Sequence, residues 1–183
     1  MRSSLFGVLE IRSVIVCRDC RIAWEVDEPA LCSNASHEHR EHEVHRHLSE
    51  IALPDGTRVT AVSFHEPSPY ERELVPDFGL YLDRRWEPPW AHEHVDWPDF
   101  GVPADRSALR AALEGLVMRA RAGQQVELGC LGAHGRTGTA LACAAVLTGI
   151  APSEAVGWVR MTYCAKAVET SEQAEFVATF AAD

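Results

Sequence analysis

Cys130 and Arg136 stand six positions apart in the run Gly129-Cys130-Leu131-Gly132-Ala133-His134-Gly135-Arg136-Thr137-Gly138-Thr139. A glycine-rich loop between a strand and a helix turns its backbone N–H groups into one concavity. The start of the helix adds positive potential, which makes the loop an anion site. Arg136 closes that loop, and a planar guanidinium holds two phosphate oxygens at once. The same field favours the thiolate of Cys130, the nucleophilic form of the sulphur. A nucleophile beside a phosphate cradle points to phosphoryl transfer through a covalent intermediate. The plainer alternative, a buried cysteine next to a glycine turn, leaves the Gly-Arg-Thr-Gly-Thr run and the following helix without a reason.

A second group lies near the start of the chain. Cys17-Arg18-Asp19-Cys20 places two thiolates one tight turn apart, as a tetrahedral zinc requires. Cys32 supplies a third ligand and His37 is the first choice for the fourth, with His39 and His42 as close substitutes. Four protein ligands close a site to substrate water, so a structural zinc is expected and a catalytic one is not. The competing reading is a reduced, metal-free turn followed by a solvated charged helix, because His37–His47 is also simply polar.

The elements that must position these groups follow from periodicity. Arg58–Phe64 and Phe78–Asp83 are rich in β-branched and aromatic residues and read as strands. Leu109, Ala112, Leu113, Leu116, Val117 and Ala120 form one stripe of a helix over 107–122, with Ser107 as N-cap and Gly123 as its stop. Residues 125–128 read as a short buried strand, 137–147 as a helix, 153–163 as another, and a last helix runs on from Ser171. Strands separated by helices predict an α/β fold with a central, mostly parallel sheet flanked by helices. The Cys/His element is expected over 12–49 and the main domain over 50–183.

Composition sets the wider limits. Of 183 residues, 46% are hydrophobic and 24% charged, the balance of a globular chain with a full core. No apolar run reaches the ~18 residues of a membrane span. No secretory signal is legible at the N-terminus, so the expected location is cytoplasmic. A net charge of −10 argues against nucleic acid and anionic membranes as partners.

Cysteine, five residues, arginine, then Thr-Gly resembles the signature of the cysteine-dependent protein tyrosine phosphatase superfamily, in a compact, dual-specificity-like form. Upstream, Trp97-Pro98-Asp99-Phe100-Gly101-Val102-Pro103 is similar to the mobile general-acid loop of that superfamily. Val168–Gln173 falls where the family's glutamine loop lies, and the likeness spans about residues 58–180. The resemblance implies a protein tyrosine phosphatase-like fold. It also implies that Cys130 attacks phosphorus to form a phosphocysteine. Arg136 and the N–H groups of Leu131, Gly132, Ala133, His134, Gly135 and Arg136 then hold the equatorial oxygens. Asp99 protonates the leaving oxygen and later accepts a proton from water. Thr137 donates to Cys130 as it leaves, and the chemistry needs no cofactor. The implied substrates are phosphorylated proteins or small phosphomonoesters, and tyrosine against dual specificity stays open.

The departures from that pattern are specific. Gly129 replaces the usual histidine before the nucleophile, and Ala133 stands at a common glycine position. Glu169 occupies the place of a water-positioning glutamine. That leaves Gln173 either for that role or for a capping box with Thr170. Two alternatives to the leading reading remain at this point. One is a weakly active phosphate-binding interaction module, and the other is a phosphatase for a nucleotide or lipid head group.

Overall fold

The computed structural model describes residues 11–17, 23–25, 30, 32–45, 48–64 and 75–180. The chain divides into two compact units, Met1–Arg46 and His47–Asp183. The division falls three residues before the expected start at Glu50, because Leu48 and Ser49 already belong to a strand of the larger sheet.

The first unit holds an antiparallel sheet of three strands, β1 (Ile11–Cys17), β2 (Ala23–Glu25) and β3 (His39–His45), in the order β2-β1-β3. The histidine-rich run weighed above as a helix is therefore a strand. It pairs with β1 from Ile11 opposite His45 to Cys17 opposite His39. β1 is Ile- and Val-rich and favours a pleated partner, which overrides the weak local preference of the polar run.

The second unit is built on a sheet of five strands: β4 (Leu48–Ala52), β5 (Arg58–Ser63), β6 (Phe78–Tyr81), β7 (His92–His94) and β8 (Val126–Cys130). The spatial order is β4-β5-β8-β6-β7. Only β4 runs antiparallel to its neighbour, so the sheet is mostly parallel, as expected. Four helices accompany it: α1 (Arg106–Arg121), α2 (Gly135–Leu147), α3 (Pro152–Thr162) and α4 (Ser171–Ala178). α1 starts two residues earlier than Ser107 capping would require. Its N-cap is Asp105, whose carboxylate accepts from Ala108 N–H at 3.0 Å, while Gly123 ends the helix region at φ +86°.

Strand alternation sorts the core. Val59, Ala61, Phe78, Leu80, Val126, Leu128 and Cys130 share one buried cluster with Leu109, Leu113 and Leu116 of α1. Each fully buried leucine contributes about 1.5–3 kcal/mol relative to exposure. α2 enters the same cluster with Ala140, Ala142 and Ala144, all without exposed surface. Such small side chains let that helix sit at the centre of the unit. The opposite face carries a separate cluster of Val62, Tyr81 and Trp86, with Phe64 and Trp90 packed against it. Cys130 thus ends the helix-side row of the central strand, at the carboxyl edge where parallel sheets bind ligands.

Candidate active site

Cys130 is 2% exposed at the end of β8, and α2 begins five residues later. Among the described residues no side chain caps α2, whose N-cap is His134. Apart from the Gly135 N–H, which the Glu169 carboxylate engages, its first-turn N–H groups face the loop without a capping side chain. Ala133 sits at φ +55°, so the position does require the left-handed conformation that glycine adopts at no steric cost. The Tyr163 hydroxyl holds it there by donating to Ala133 O at 2.5 Å. Burial pushes the Tyr163 phenol up, which keeps that hydrogen in place. Thr137 Oγ1 donates to Cys130 Sγ at 3.1 Å, both groups being buried. His134 is buried as well, at 8% exposure, rather than solvated at the loop apex.

Gly129 has a packing reason. A Cβ there would lie 2.6 Å from Val62 O and 2.9 Å from a Phe64 ring carbon, so no histidine fits before this nucleophile. At Gly135 a Cβ would meet the Glu169 carboxylate, the end of a side chain that can move, so the constraint there is weaker than at Gly129. The Gly135 N–H is engaged by the Glu169 carboxylate. Burial first, and then the charge of Asp99, raise that carboxyl above its ordinary value, against the pull of Gly135, Arg136 and Lys166.

Arg136 is 4% exposed. Its Nη1 donates to Leu82 O at 3.0 Å, to Trp97 O at 3.2 Å and to the Asp83 carboxylate at 3.3 Å. Nη2 lies 3.2 Å from Asp99 Oδ1, while Nε is buried with no hydrogen-bond partner among the described residues. An unsatisfied buried donor on a cation is costly, and the Nε–Nη2 edge is the one that forks onto two phosphate oxygens. Asp83 is itself clamped by Arg85, through Nε at 2.9 Å, Nη2 at 2.5 Å and the backbone N–H at 3.1 Å. Burial opposes its ionisation, but these bonds and the charges of Arg136 and Arg85 outweigh it and hold the carboxyl at about 2.

The Asp99 loop is docked on the same arginine. Trp97 is 3% exposed and its indole donates to Gly101 O at 2.8 Å, closing the turn on itself. Gln173, wholly buried, spans two backbone groups: its Nε2 donates to Gly101 O at 3.2 Å and its Oε1 accepts from Glu169 N–H at 2.9 Å. The capping role of Thr170 is present, since its hydroxyl accepts from Gln173 N–H at 3.2 Å. Asp99 is 47% exposed, and Asp96, 77% exposed, reaches only Arg84 at 3.7 Å. Of these two aspartates, Asp99 alone pairs with Arg136.

Known proteins resemble this chain in sequence and in fold. No protein-family model matches the chain. An uncharacterized protein of Methanocaldococcus jannaschii is 34% identical over 109 residues, 54% of this chain and 71% of that protein. Among solved structures, Tk-PTP in its active form aligns at 27% identity with a TM-score of 0.58, over 67% of this chain and 90% of that one. A kinase associated phosphatase with its catalytic cysteine replaced by serine aligns at 16% identity and TM-score 0.60, over 74% and 93%. At that identity the likeness is one of fold. The fold together with the 27% identity to Tk-PTP supports the cysteine-dependent protein tyrosine phosphatase superfamily for this chain. It is a protein tyrosine phosphatase-like phosphoric monoester hydrolase.

In this phosphatase, sequence patterning singled out Cys130, Arg136, Asp99 and Thr137, and the fold brings Cys130 to Thr137 and Arg136 to Asp99. It missed Asp83, whose contact with Arg136 spans 53 residues and has no local pattern. The expected metal ligands fall in the first unit. Cys20 and the side chain of Cys17 lie outside the described residues. Cys32 Sγ is 3.4 Å from His37 Nδ1, close to the ~3.6 Å that separates a sulphur and a nitrogen on one tetrahedral zinc. Asn34 Oδ1 accepts from Ser36 N–H and Oγ, which turns the Asn34 amide nitrogen onto His37 Nε2 at 2.9 Å. Nδ1 then carries the hydrogen, and zinc binding at Nδ1 requires the Asn34 amide to give way.

Proposed function

We propose that this phosphatase hydrolyses phosphotyrosyl or, more broadly, phosphorylated protein substrates by a cysteine-nucleophile mechanism. The observation that carries the reading is the buried Arg136. Three acceptors hold its Nη1, and its Nε has no partner among the described residues, beside a loop that begins at Cys130. A phosphate dianion drawn to the Nε–Nη2 edge displaces Asp99 from the guanidinium and frees it to face the leaving group. Cys130 sulphur attacks phosphorus in line, the P–O bond to the leaving group breaks, and Asp99 gives its proton to the departing oxygen. Water then attacks the phosphocysteine, Asp99 takes the water's proton, and the sulphur leaves as a thiolate that accepts from the Thr137 hydroxyl. Loop N–H groups and Arg136 stabilise the charge on the equatorial oxygens throughout.

Hydrolysis of a small aryl phosphate tests this directly. Cys130→Ser is expected to abolish turnover while retaining measurable binding of a phosphate mimic, and vanadate should inhibit the wild type competitively as a transition-state mimic. A serine variant with most of its rate intact would remove the mechanism. A phosphopeptide panel run beside a nucleotide and an inositol phosphate then decides the substrate class. The charge of −10 favours the peptides.

For the first unit we propose a structural zinc held by Cys17, Cys20, Cys32 and His37. Its support is the Cys32–His37 separation together with the β1–β3 register, which sets Cys17 opposite His39, two residues after His37.

A further inference from the structure

Glu87, His92 and His94 each offer one donor atom that lies within 4.8 Å of the other two. We propose that these three residues bind one divalent transition-metal ion, with zinc as the best fit, on the sheet face opposite Cys130. The phosphatase chemistry does not use them.

The strand register builds the site. His92 pairs with Gly79 and His94 with Tyr81, so both imidazoles share the face of Tyr81, whose ring centroid is 5.9 Å from His92 and 6.1 Å from His94. The intervening Glu93 points to the other face. The two imidazoles meet edge to face with centroids 4.9 Å apart. Glu87 reaches them from the loop between β6 and β7, its Oε2 lying 3.4 Å from His92 Nε2. Nitrogen and oxygen ligands at about 2.0–2.2 Å from one tetrahedral zinc lie roughly 3.4 Å from each other, so this pair is already at ligand spacing.

The other ring nitrogens explain why the histidines are held as metal ligands are. His92 Nδ1 is 2.8 Å from Trp90 O, and His94 Nε2 is 2.6 Å from Trp86 O. A carbonyl oxygen only accepts, so these two nitrogens carry the hydrogens. In the neutral rings that leaves the lone pairs on His92 Nε2 and His94 Nδ1. Donation of the second N–H to a backbone carbonyl is the arrangement that orients ligating histidines and raises their basicity. Two imidazoles and one carboxylate suit zinc and its divalent neighbours, and three protein ligands leave a position for water. The ion would tie the loop that starts at Asp83 and Arg85 to edge strand β7, which runs through Val95 into Trp97 and Asp99.

The test uses the full chain, stripped of metal and titrated with Zn2+ by calorimetry, with zinc content measured after gel filtration. His92→Ala/His94→Ala is expected to bind one equivalent fewer than the wild type, in the native chain and equally in a Cys17→Ser/Cys20→Ser background. Glu87→Gln should weaken that equivalent about tenfold or more, and Glu93→Gln should leave it unchanged. Equal zinc uptake by wild type and the double histidine variant overturns the proposal, as does an equal loss in Glu93→Gln. Should the double variant fail to fold by circular dichroism, nitrogen NMR of the wild-type imidazoles decides. Zinc must shift His92 Nε2 and His94 Nδ1, and unshifted signals mean a metal-free Glu87–His92 ion pair only.

Discussion

At the scale of single residues, the site is organised around what Arg136 lacks as much as what it holds. Asp83 fixes one end of the guanidinium, and Arg85 fixes Asp83. Because the folded Asp83 carboxyl is held at about 2 against 3.8, its contribution to stability is present above pH 4 and lost as pH falls through 2. That difference corresponds to roughly 2 kcal/mol. Urea melts of the wild type should lose about that much between pH 4 and 2, and Asp83→Asn should show no such loss from this group. Parallel acid limbs in the two proteins would show that Asp83 is not the titrating group. The variant should also lose turnover, since Arg136 and Arg85 then share a neutral amide with one acceptor oxygen in place of the carboxylate. Asp99, half exposed, calls for a different outcome. Its proton matters in proportion to how poor the leaving group is, so Asp99→Ala should slow phosphotyrosine hydrolysis far more than that of an activated aryl phosphate. The alkaline limb of the pH–rate profile should flatten. Equal losses on both substrates would assign Asp99 a structural role beside Arg136.

Between elements, α4 and the Asp99 loop are joined by one amide. Gln173 has no exposed surface, and its two ends satisfy Gly101 O and Glu169 N–H. Gln173→Ala orphans the Glu169 N–H, leaves Gly101 O to the Trp97 indole, and should cost about 1–3 kcal/mol in stability. Its kinetic effect should run through Asp99. A clear loss of kcat on phosphotyrosine is expected in the wild-type background, and little further loss in Asp99→Ala; full additivity would separate the amide from the acid loop. At this scale the limits of sequence patterning are also visible. The strand–loop–helix from Val126 to Leu147 was legible because glycine spacing, apolar runs and the Cys130–Arg136 interval all agree locally. So was the stripe of α1, though its cap moved to Asp105, whose carboxylate reaches Ala108 N–H. β7 was not legible: His92-Glu93-His94 is short and polar, and it is a strand only because β6 offers it an edge. Asp83 and the Gln173 latch depend on contacts across more than fifty residues, which no local period encodes.

At the scale of the whole molecule, the two units differ in what holds them together. The larger has a continuous core from Ile51 to Phe180, including many side chains with no exposed surface. In the smaller, the described backbone is a sheet of seven-, three- and seven-residue strands. Three strands with so little chain around them are marginal without a staple. A structural zinc at Cys17, Cys20, Cys32 and His37 would supply it, because the apparent binding free energy of such a site, about 10–16 kcal/mol, is also folding free energy. Purified protein is accordingly expected to lose one equivalent of zinc when Cys17 and Cys20 are both replaced by serine. The smaller unit should then become sensitive to proteolysis within Met1–Arg46. Turnover per folded molecule should persist, since Cys130 with its partner Thr137, and Arg136 with its partners Asp99 and Asp83, all belong to the larger unit. His37→Ala should weaken zinc less than either cysteine change, because the Asn34 amide competes for that ring and β3 brings His39 opposite Cys17 as a substitute. Equal zinc content in the wild type and the double serine variant would show that the unit folds without metal. The 3.4 Å contact between Cys32 and His37 would then be an N–H···S hydrogen bond and nothing more.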